Sequence, residues 1–324
     1  MSQSDFEEWV EPAPPRLRAD VRRAEADPER LARPWRRPLD TALRDDYLKR
    51  LGWDAPPPPT LDTLVALHHA HVERVPFEVV WIAIGEPRGV EPLESVRHVV
   101  GGRGGYCYHL NGAFACLLDW LGFDAHWRVG TVQLSADSEP FRAYANHLAV
   151  EVRGLPSAQS PGGRWYVDIG LGDALHGPLP LVPGQYRQGP SVFGLRPSGI
   201  VPGGWRFDHD PRGYFHGMDF TPFEGTLADF GFRQKALSTE PESGFVRIVS
   251  VCRRDADTVT TLRGLVLTHR TTEGEDKSDI ADQGDYFATL ADVFELPLSD
   301  VDTDRRAALW ARLLADHEVL RRGK

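Results

Sequence analysis

The spacing of apolar residues predicts helices in the first part of the chain. Leu61, Leu64, Val65 and His68 recur at helical spacing, and Thr60 precedes them as a candidate N-cap. A second helical pattern follows Cys107 and consists of Leu110, Phe114, Leu117, Leu118 and Leu121. This pattern predicts a helix of about four turns that begins near Cys107 and is ended by Gly122.

After this helix the apolar period changes to two. The segments "AHWRVGTVQL", "NHLAVEV" and "RWYVDI" alternate, and so do "GWRFDHD", "FVRIVSVCRR" and "TVTTLRGLVLTHR" further on. Such alternation, with Pro and Gly clusters between segments, is typical of half-buried strands. The pattern indicates a barrel or a strongly curved sheet. Helical periodicity returns at residues 282–295 and from residue 300, so the sequence predicts an α+β protein.

The composition narrows the choice of function. The 324-residue chain has 37 Lys and Arg against 47 Asp and Glu, a formal net charge of −10. This charge repels polyanions, so we expect no nucleic-acid partner. The three cysteines show no spacing typical of a zinc site or a disulfide framework, which favours free thiols in a reducing compartment. The acidic amino terminus and the lack of a long apolar run predict a cytoplasmic protein without a membrane partner.

One cysteine stands where reactivity is favoured. Cys107 follows four glycines in "GGRGGYCYHLNG" and comes at the start of the predicted helix. The unpaired N–H groups and the dipole of a helix amino terminus stabilise a thiolate, and glycines let the backbone approach a ligand closely. Cys116, inside the helix, and Cys252, inside a strand, are interpreted as packing residues. We therefore predict that Cys107 is a nucleophile.

A hairpin supplies a candidate base and its partner. The strands around "NHLAVEV" and "RWYVDI" flank a loop at residues 154–163. If they pair about this loop, the numbers of opposed residues sum to about 317. The numbers of His147 and Asp168 sum to 315, which places them on one face within hydrogen-bond reach. An Asp that orients an imidazole beside a cysteine completes a catalytic triad.

The other histidines are weaker candidates. His109 is the rival base, but two positions beyond Cys107 on a helix it points to a different side. The sequence "HHAH" at residues 68–71 places histidines on a helix face, yet no nearby carboxylate or cysteine completes a metal-ligand set. We therefore interpret these residues as a packed helix face and predict no metal site.

Four motifs of this sequence resemble motifs of the arylamine N-acetyltransferases and follow one another along the chain as they do in that family. "RGGYCYHLNGAF" is similar to the family's cysteine motif, and "NHLAVEV" followed by "WYVDIGLGD" is similar to its histidine strand and its Asp-Val-Gly-Phe-Gly segment. "VPFEVVW" resembles the upstream Pro-Phe-Glu-Asn motif, and "LSTEPESGFV" resembles a Ser-Thr-x-Pro-x-Ser-x-Phe stretch. The resemblance runs from about Tyr47 to the last strands.

The resemblance implies a fold of three domains. These are a helical domain at residues 41–123, a β-barrel domain at 124–232 and an α/β lid at 233–324. The polar, Arg- and Pro-rich composition of residues 1–40 predicts an extension that is flexible or packed over the surface. The cysteine-protease-like triad carries over as Cys107, His147 and Asp168. The resemblance also implies that Glu78 pairs with Arg103, which suits a bidentate Arg–carboxylate clamp. The substrate contacts that it implies are Phe77, Gly105, Tyr106, Leu171 and Gly172.

Several positions depart from the family pattern. Val79 stands where the family has Asn, Leu171 stands where it has Phe, and His109 stands where an acid or amide is commoner. In the family this Phe borders the acceptor pocket. With Leu171 in its place, we expect simple arylamines to be used weakly as acceptors. The extension before Tyr47 has no counterpart in the usual pattern.

The predicted function is a ping-pong acyl transfer through Cys107. The expected substrates are acetyl-CoA or another acyl-CoA, as thioester donor and co-substrate, and a small amine, hydrazine or related acceptor. No permanently bound cofactor is expected. Two alternatives stay open. One is an amide synthase that uses a tethered thioester in natural-product biosynthesis, and the other is a transglutaminase-like or papain-like cysteine hydrolase, which shares the chain order Cys, His, Asp.

Overall fold

The first part of the fold is helical. The computed structural model describes residues 33–135 and 145–322, so most of the predicted extension lies outside the described residues. The elements of this part are helices α1 (Thr41–Arg50) and α2 (Leu61–Arg74), strand β1 (Phe77–Glu78), and helices α3 (Val80–Ala83), α4 (Pro92–Val100) and α5 (Cys107–Trp120). As predicted, Thr60 caps α2, because its Oγ1 accepts a hydrogen bond from the Thr63 N–H at 3.2 Å.

Helix α5 runs through the centre of the molecule. Asp119 is its one residue that is not buried, and a helix apolar on nearly all sides is expected to lie in a core. The helix begins at Cys107 and gives way to Gly122, whose φ of 90° is in the left-handed region that suits glycine. The predicted boundaries of this helix are therefore confirmed.

Eight strands follow α5 and form a near-closed barrel. They are β2 (Asp124–Gln133), β3 (His147–Arg153), β4 (Trp165–Val167), β5 (Leu179–Pro180), β6 (Gly184–Gln188), β7 (Ser191–Pro197), β8 (Trp205–Asp208) and β9 (Gly217–Glu224). Their order in the sheet is β5-β4-β3-β2-β9-β8-β7-β6. Strands β2, β3, β4 and β8 lie on alternating segments of the sequence, which confirms the predicted curved sheet for these strands, whereas β5, β6, β7 and β9 were not predicted.

The hairpin register is as predicted. Val150 pairs with Val167 and Val152 pairs with Trp165, and both pairs sum to 317. These side chains point outward and join the core around α5. The opposite face of the same strands carries Ala149 and Tyr166, which belong to the aromatic core inside the barrel. Because side chains alternate along a strand, His147 and Asp168 fall on this inner face.

The last part of the chain, residues 227–322, contains a second sheet and four helices. Its elements are α6 (Leu227–Thr239), α7 (Gly244–Arg247), β10 (Ser250–Arg254), β11 (Val259–Arg263), β12 (Val266–Arg270), β13 (Glu275–Asp279), α8 (Gln283–Asp292) and α9 (Thr303–Arg322). The sheet order is β1-β10-β11-β12-β13. Two predictions are corrected here. A boundary between residues 232 and 233 would cut α6, and the stretch predicted as one strand from Phe245 begins as a helical turn.

The described end of the extension is anchored in the core. Trp35 has no exposed surface, stacks on Trp127 with ring centroids 5.3 Å apart, and donates its Nε1–H to Glu224 at 2.6 Å. Arg37 forms an ion pair with Glu91 at 2.6 Å. The residues just before α1 are therefore part of the packed body. Among the described residues, no helix combines the length and the apolar character that a membrane crossing requires.

Replacement of Trp35 tests this anchor. Trp35→Ala should lower the free energy of unfolding by about 3–5 kcal/mol, the usual cost of truncating a buried aromatic side chain. Urea unfolding followed by circular dichroism measures the loss. Leu39→Ala is the matched control in the same segment, because Leu39 is 51% exposed, and it should change stability by less than about 0.5 kcal/mol. Equal effects of the two substitutions would contradict the anchoring role.

Candidate active site

Glycines shape the approach to Cys107. Gly105 forms a bridge to Phe77, and its carbonyl accepts the Glu78 N–H at 2.9 Å. A Cβ on Gly104 would lie 2.0 Å from the Pro76 carbonyl oxygen, and one on Gly105 would lie 2.6 Å from the His109 Cβ. Only glycine fits at these two positions, and Cys107 consequently enters the first turn of α5 at a fixed point.

His147 and Asp168 meet as the hairpin predicts. His147 Nε2 lies 2.7 Å from Asp168 Oδ2, and both side chains are almost completely buried. Cys107 lies close enough to raise the pKa of the imidazole, and its Sγ lies 3.8 Å from the carbonyl oxygen of Asn146, the residue before His147. Nε2 is taken by Asp168, so Nδ1 is the nitrogen available to the thiol.

The two acidic neighbours determine the charge of the imidazole. Burial lowers the pKa of His147, but the charges of Asp168 and Cys107 and the hydrogen bonds to both raise the pKa from 6.5 to about 10. The imidazolium is therefore favoured at neutral pH. A cation beside Cys107 stabilises the thiolate, which is the nucleophilic form of cysteine.

Asp168 has further donors that sequence reasoning did not assign. Its Oδ1 accepts hydrogen bonds from Asn111 Nδ2 at 2.7 Å and from the Gly170 N–H at 3.0 Å. Its Oδ2 accepts a hydrogen bond from the Tyr166 hydroxyl at 2.8 Å, beside His147. Asn111 lies one helical turn after Cys107, so its spacing was a signal that it shares a face with the nucleophile. Tyr166 lies two residues before Asp168, which places both on one strand face.

Gly170 brings the segment after Asp168 against the cysteine. A Cβ at this position would lie 2.5 Å from the Cys107 Cα and 3.0 Å from Asn111 Nδ2. The close approach excludes any other residue. It joins the loop at residues 168–172 to the first turn of α5.

The predicted pairing of Glu78 with Arg103 is wrong. Arg103 binds Glu86 at 2.7 Å and Asp300 at 3.2 Å, and the cation beside Glu78 is Arg88 at 3.4 Å. The Arg88 guanidinium also donates to the Gly104 carbonyl at 2.8 Å and lies over the Trp81 ring. Arg88 reaches Glu78 from the loop before α4 and occupies the place predicted for Arg103. The glycine turn is still tied to a buried ion pair.

The predicted substrate residues divide into two groups. Phe77 and Gly105 form the bridge just before Cys107, and Leu171 and Gly172 follow Gly170, which touches Cys107. Gly172 has a φ of 66°, and a Cβ there would face Phe77 and Cys252. These four residues therefore lie on two segments beside Cys107, namely the glycine turn with β1 and the loop after Asp168. The Tyr106 ring has no exposed surface and packs on the rings of Trp81, Tyr108, His109 and Phe245. The prediction of a substrate contact is therefore corrected for the Tyr106 side chain, which packs in the core.

The rival histidines and cysteines are in different environments. Burial lowers the pKa of His109 to about 3, and its Nδ1 accepts the Tyr106 N–H at 3.4 Å at the start of α5. Burial also lowers the pKa of His68 to about 3, and His68 Nδ1 pairs with the His176 carbonyl at 2.7 Å. Burial raises the pKa of Cys116 and that of Cys252 to about 12. These two thiols are kept protonated, as packing residues are expected to be.

Comparison with known proteins identifies the family. A family model described as N-acetyltransferase matches residues 60–303. The chain belongs to the arylamine N-acetyltransferase family. It is 37% identical over 147 residues to the arylamine N-acetyltransferase of Mycolicibacterium smegmatis, a match that covers 44% of this chain and 51% of that protein.

Two further similarities extend the comparison. The chain is 29% identical over 156 residues to proansamycin X synthase of Amycolatopsis mediterranei, with 47% of this chain and 57% of that protein covered. The solved structure of the Mycobacterium marinum arylamine N-acetyltransferase in complex with CoA superposes with a TM-score of 0.72 and 27% identity, covering 83% of this chain and 97% of that one. The chain spans about half the length of the first curated relatives of the family.

Replacement of Asp168 tests the charge assignment at His147. Asp168→Asn removes a negative charge and a hydrogen-bond acceptor, so the pKa of His147 should fall well below 10. Because the folded pKa lies above the ordinary 6.5, the stability that this interaction contributes is fully present below pH 6.5. It is lost as the pH rises through about 10, and the stability difference between wild type and variant should shrink over that range.

NMR titration of the His147 ring measures the pKa, and urea unfolding across the same pH range measures the stability. The control is Asp257→Asn, at an exposed residue of a distant hairpin, which should leave both quantities unchanged. A His147 titration that is the same in Asp168→Asn and in the wild type would refute the assignment.

Proposed function

We propose that this protein is a ping-pong acyltransferase that moves an acyl group from a coenzyme A thioester to an amine, hydrazine or related acceptor. The observation that carries the proposal is the buried ion pair of His147 and Asp168 beside Cys107, whose Sγ lies against the Asn146 carbonyl at the amino terminus of α5. Family membership supports the chemistry, because the matched proteins are named for acetyl transfer to arylamines. We propose these three residues as the catalytic residues.

The first half-reaction acylates the enzyme. The Cys107 thiolate attacks the thioester carbonyl carbon, and the C–O double bond opens to an oxyanion. The N–H groups of Cys107 and Tyr108, which precede the first hydrogen-bonded N–H of α5 at His109, are available to stabilise this oxyanion. When the carbonyl re-forms, the bond to the coenzyme A sulfur breaks. The leaving thiolate takes a proton from the His147 imidazolium, so the step ends with an S-acyl cysteine, free coenzyme A and a neutral imidazole.

The second half-reaction transfers the acyl group. The acceptor nitrogen attacks the S-acyl carbonyl while neutral His147 accepts a proton from the nitrogen. The C–S bond to Cys107 then breaks, and the amide product leaves. The cycle returns to the thiolate beside the imidazolium. Asp168 stabilises the imidazolium in both half-reactions and keeps its own charge.

Mass spectrometry tests the covalent intermediate. After incubation with acetyl-CoA without acceptor, the intact protein should gain one acetyl group, and peptide mapping should place it on Cys107. Cys107→Ala should not be acylated, and Cys116→Ala, at a buried cysteine about two and a half turns further along the same helix, should be acylated like the wild type. An adduct on Cys116 or Cys252, or no adduct with any acyl thioester, would refute the proposal.

Leu171 is the proposed determinant of acceptor choice. It stands where the family pattern has Phe, follows Gly170 beside Cys107, and packs with the aromatic core of the barrel. Leu171→Phe should raise kcat/KM for a small arylamine by about 5-fold if one aromatic contact is gained in the transition state. The rate of Cys107 acylation, measured separately, is the control for donor effects. Unchanged arylamine kcat/KM would show that Leu171 does not border the acceptor.

The second candidate is an amide synthase that takes its acyl group from a tethered thioester. The similarity to proansamycin X synthase and the aliphatic residue at position 171 favour it. Both candidates share the Cys107 acyl-enzyme, and they differ in the donor. Acylation of Cys107 by long acyl thioesters of a short carrier-like thiol, without acylation by acetyl-CoA, would select the amide synthase.

A further inference from the structure

The carboxylate of Asp168 is shared between two donors on one oxygen. Oδ2 accepts His147 Nε2 at 2.7 Å and the Tyr166 hydroxyl at 2.8 Å. Tyr166 has no exposed surface. Its ring stacks on Phe220 with centroids 5.0 Å apart and lies against Phe207 at 5.7 Å. The hydroxyl is therefore held in place by ring packing within the barrel, independently of His147.

We propose that Tyr166 is a positioning residue of the active site, which fixes the orientation of the Asp168 carboxylate and withdraws part of its negative charge from His147. This inference rests on the proposed acyl transfer, because it assigns Tyr166 a role through His147. A carboxylate oxygen that accepts two hydrogen bonds divides its charge between both donors. Without the hydroxyl, the full charge of Oδ2 would face the imidazole.

Tyr166 remains a donor over the whole working pH range. Burial and then the nearby charge of Asp168 raise the pKa of Tyr166 well above 10, so the hydroxyl keeps its proton. The other titratable groups around Asp168 and His147 are Cys107 from α5 and His68 from α2. Since burial lowers the pKa of His68 to about 3, its ring stays neutral above that pH and does not contribute a change in charge.

The free enzyme gives the first test. In Tyr166→Phe, the Asp168 carboxylate loses one hydrogen-bond donor. This loss costs more when His147 is neutral, because the charged imidazolium still stabilises the carboxylate. The charged form of His147 is therefore favoured, and its pKa should rise by roughly 0.5–1 unit. NMR titration of the His147 ring measures the shift. The control is Tyr186→Phe, because the Tyr186 hydroxyl donates to the Val182 carbonyl at 2.7 Å beside the same barrel core. It should leave the titration unchanged.

A change in the opposite direction separates this role from packing. Substitution of Tyr166 by 3-fluorotyrosine keeps the ring and strengthens the hydroxyl as a donor, so the pKa of His147 should fall. A residue that acts only by packing would alter thermal stability in both variants without moving the His147 titration in opposite directions. A titration that does not move, or that moves the same way in both variants, would overturn the proposal.

The half-reactions give the second test. The acceptor step needs neutral His147, so aminolysis of the S-acyl enzyme by Tyr166→Phe should be about 3–10-fold slower at neutral pH. The pH at which this rate reaches half its maximum should rise. Aminolysis that is unchanged in rate and pH profile would overturn the proposal. If wild-type Cys107 is not acylated at all, the proposed function fails, and the NMR titrations still decide the role of Tyr166.

Discussion

The buried carboxylate of Asp168 is the interaction on which the arrangement of the site depends. A buried charge without partners is strongly unfavourable, and the four donors to Asp168 come from separate parts of the chain. Asn111 lies on α5, His147 on β3, Tyr166 on β4, and Gly170 on the following loop. The carboxylate therefore fixes the helix relative to the hairpin. It also fixes Cys107, which lies one helical turn before Asn111.

The glycine turn before Cys107 is held by main-chain contacts. Strand β1 pairs with β10 through Phe77 and Cys252, and it bridges to Gly105 just before the cysteine. The second sheet is thereby joined to the glycine turn that delivers Cys107. The ion pairs of Arg88 and Arg103 add connections to Glu78, Glu86 and Asp300. The position of the last part of the chain over the site thus depends on backbone hydrogen bonds, with side-chain ion pairs in support.

Neighbouring charge, not burial, distinguishes the histidines of the site region. His68, His109 and His147 are all buried. The pKa of His68 and that of His109 fall to about 3 because the cost of burial is not offset. The pKa of His147 rises to about 10 because two acidic groups face its ring. A histidine in an apolar core is a neutral packing residue, and the same side chain beside the charges of Asp168 and Cys107 holds a proton at neutral pH.

The amino-acid sequence by itself determined the parts that depend on local periodicity. It placed Cys107 in the first turn of α5, set the β3–β4 register, and so brought His147 and Asp168 to one strand face, because helix period, strand alternation and loop length act over short distances. Only the tertiary structure decided which long side chain pairs with Glu78, that Tyr106 packs in the core, that Trp35 is buried, and that Tyr166 and Asn111 share Asp168. These outcomes depend on segments far apart in sequence, whose flexible side chains take whichever buried partner the packed fold brings within reach.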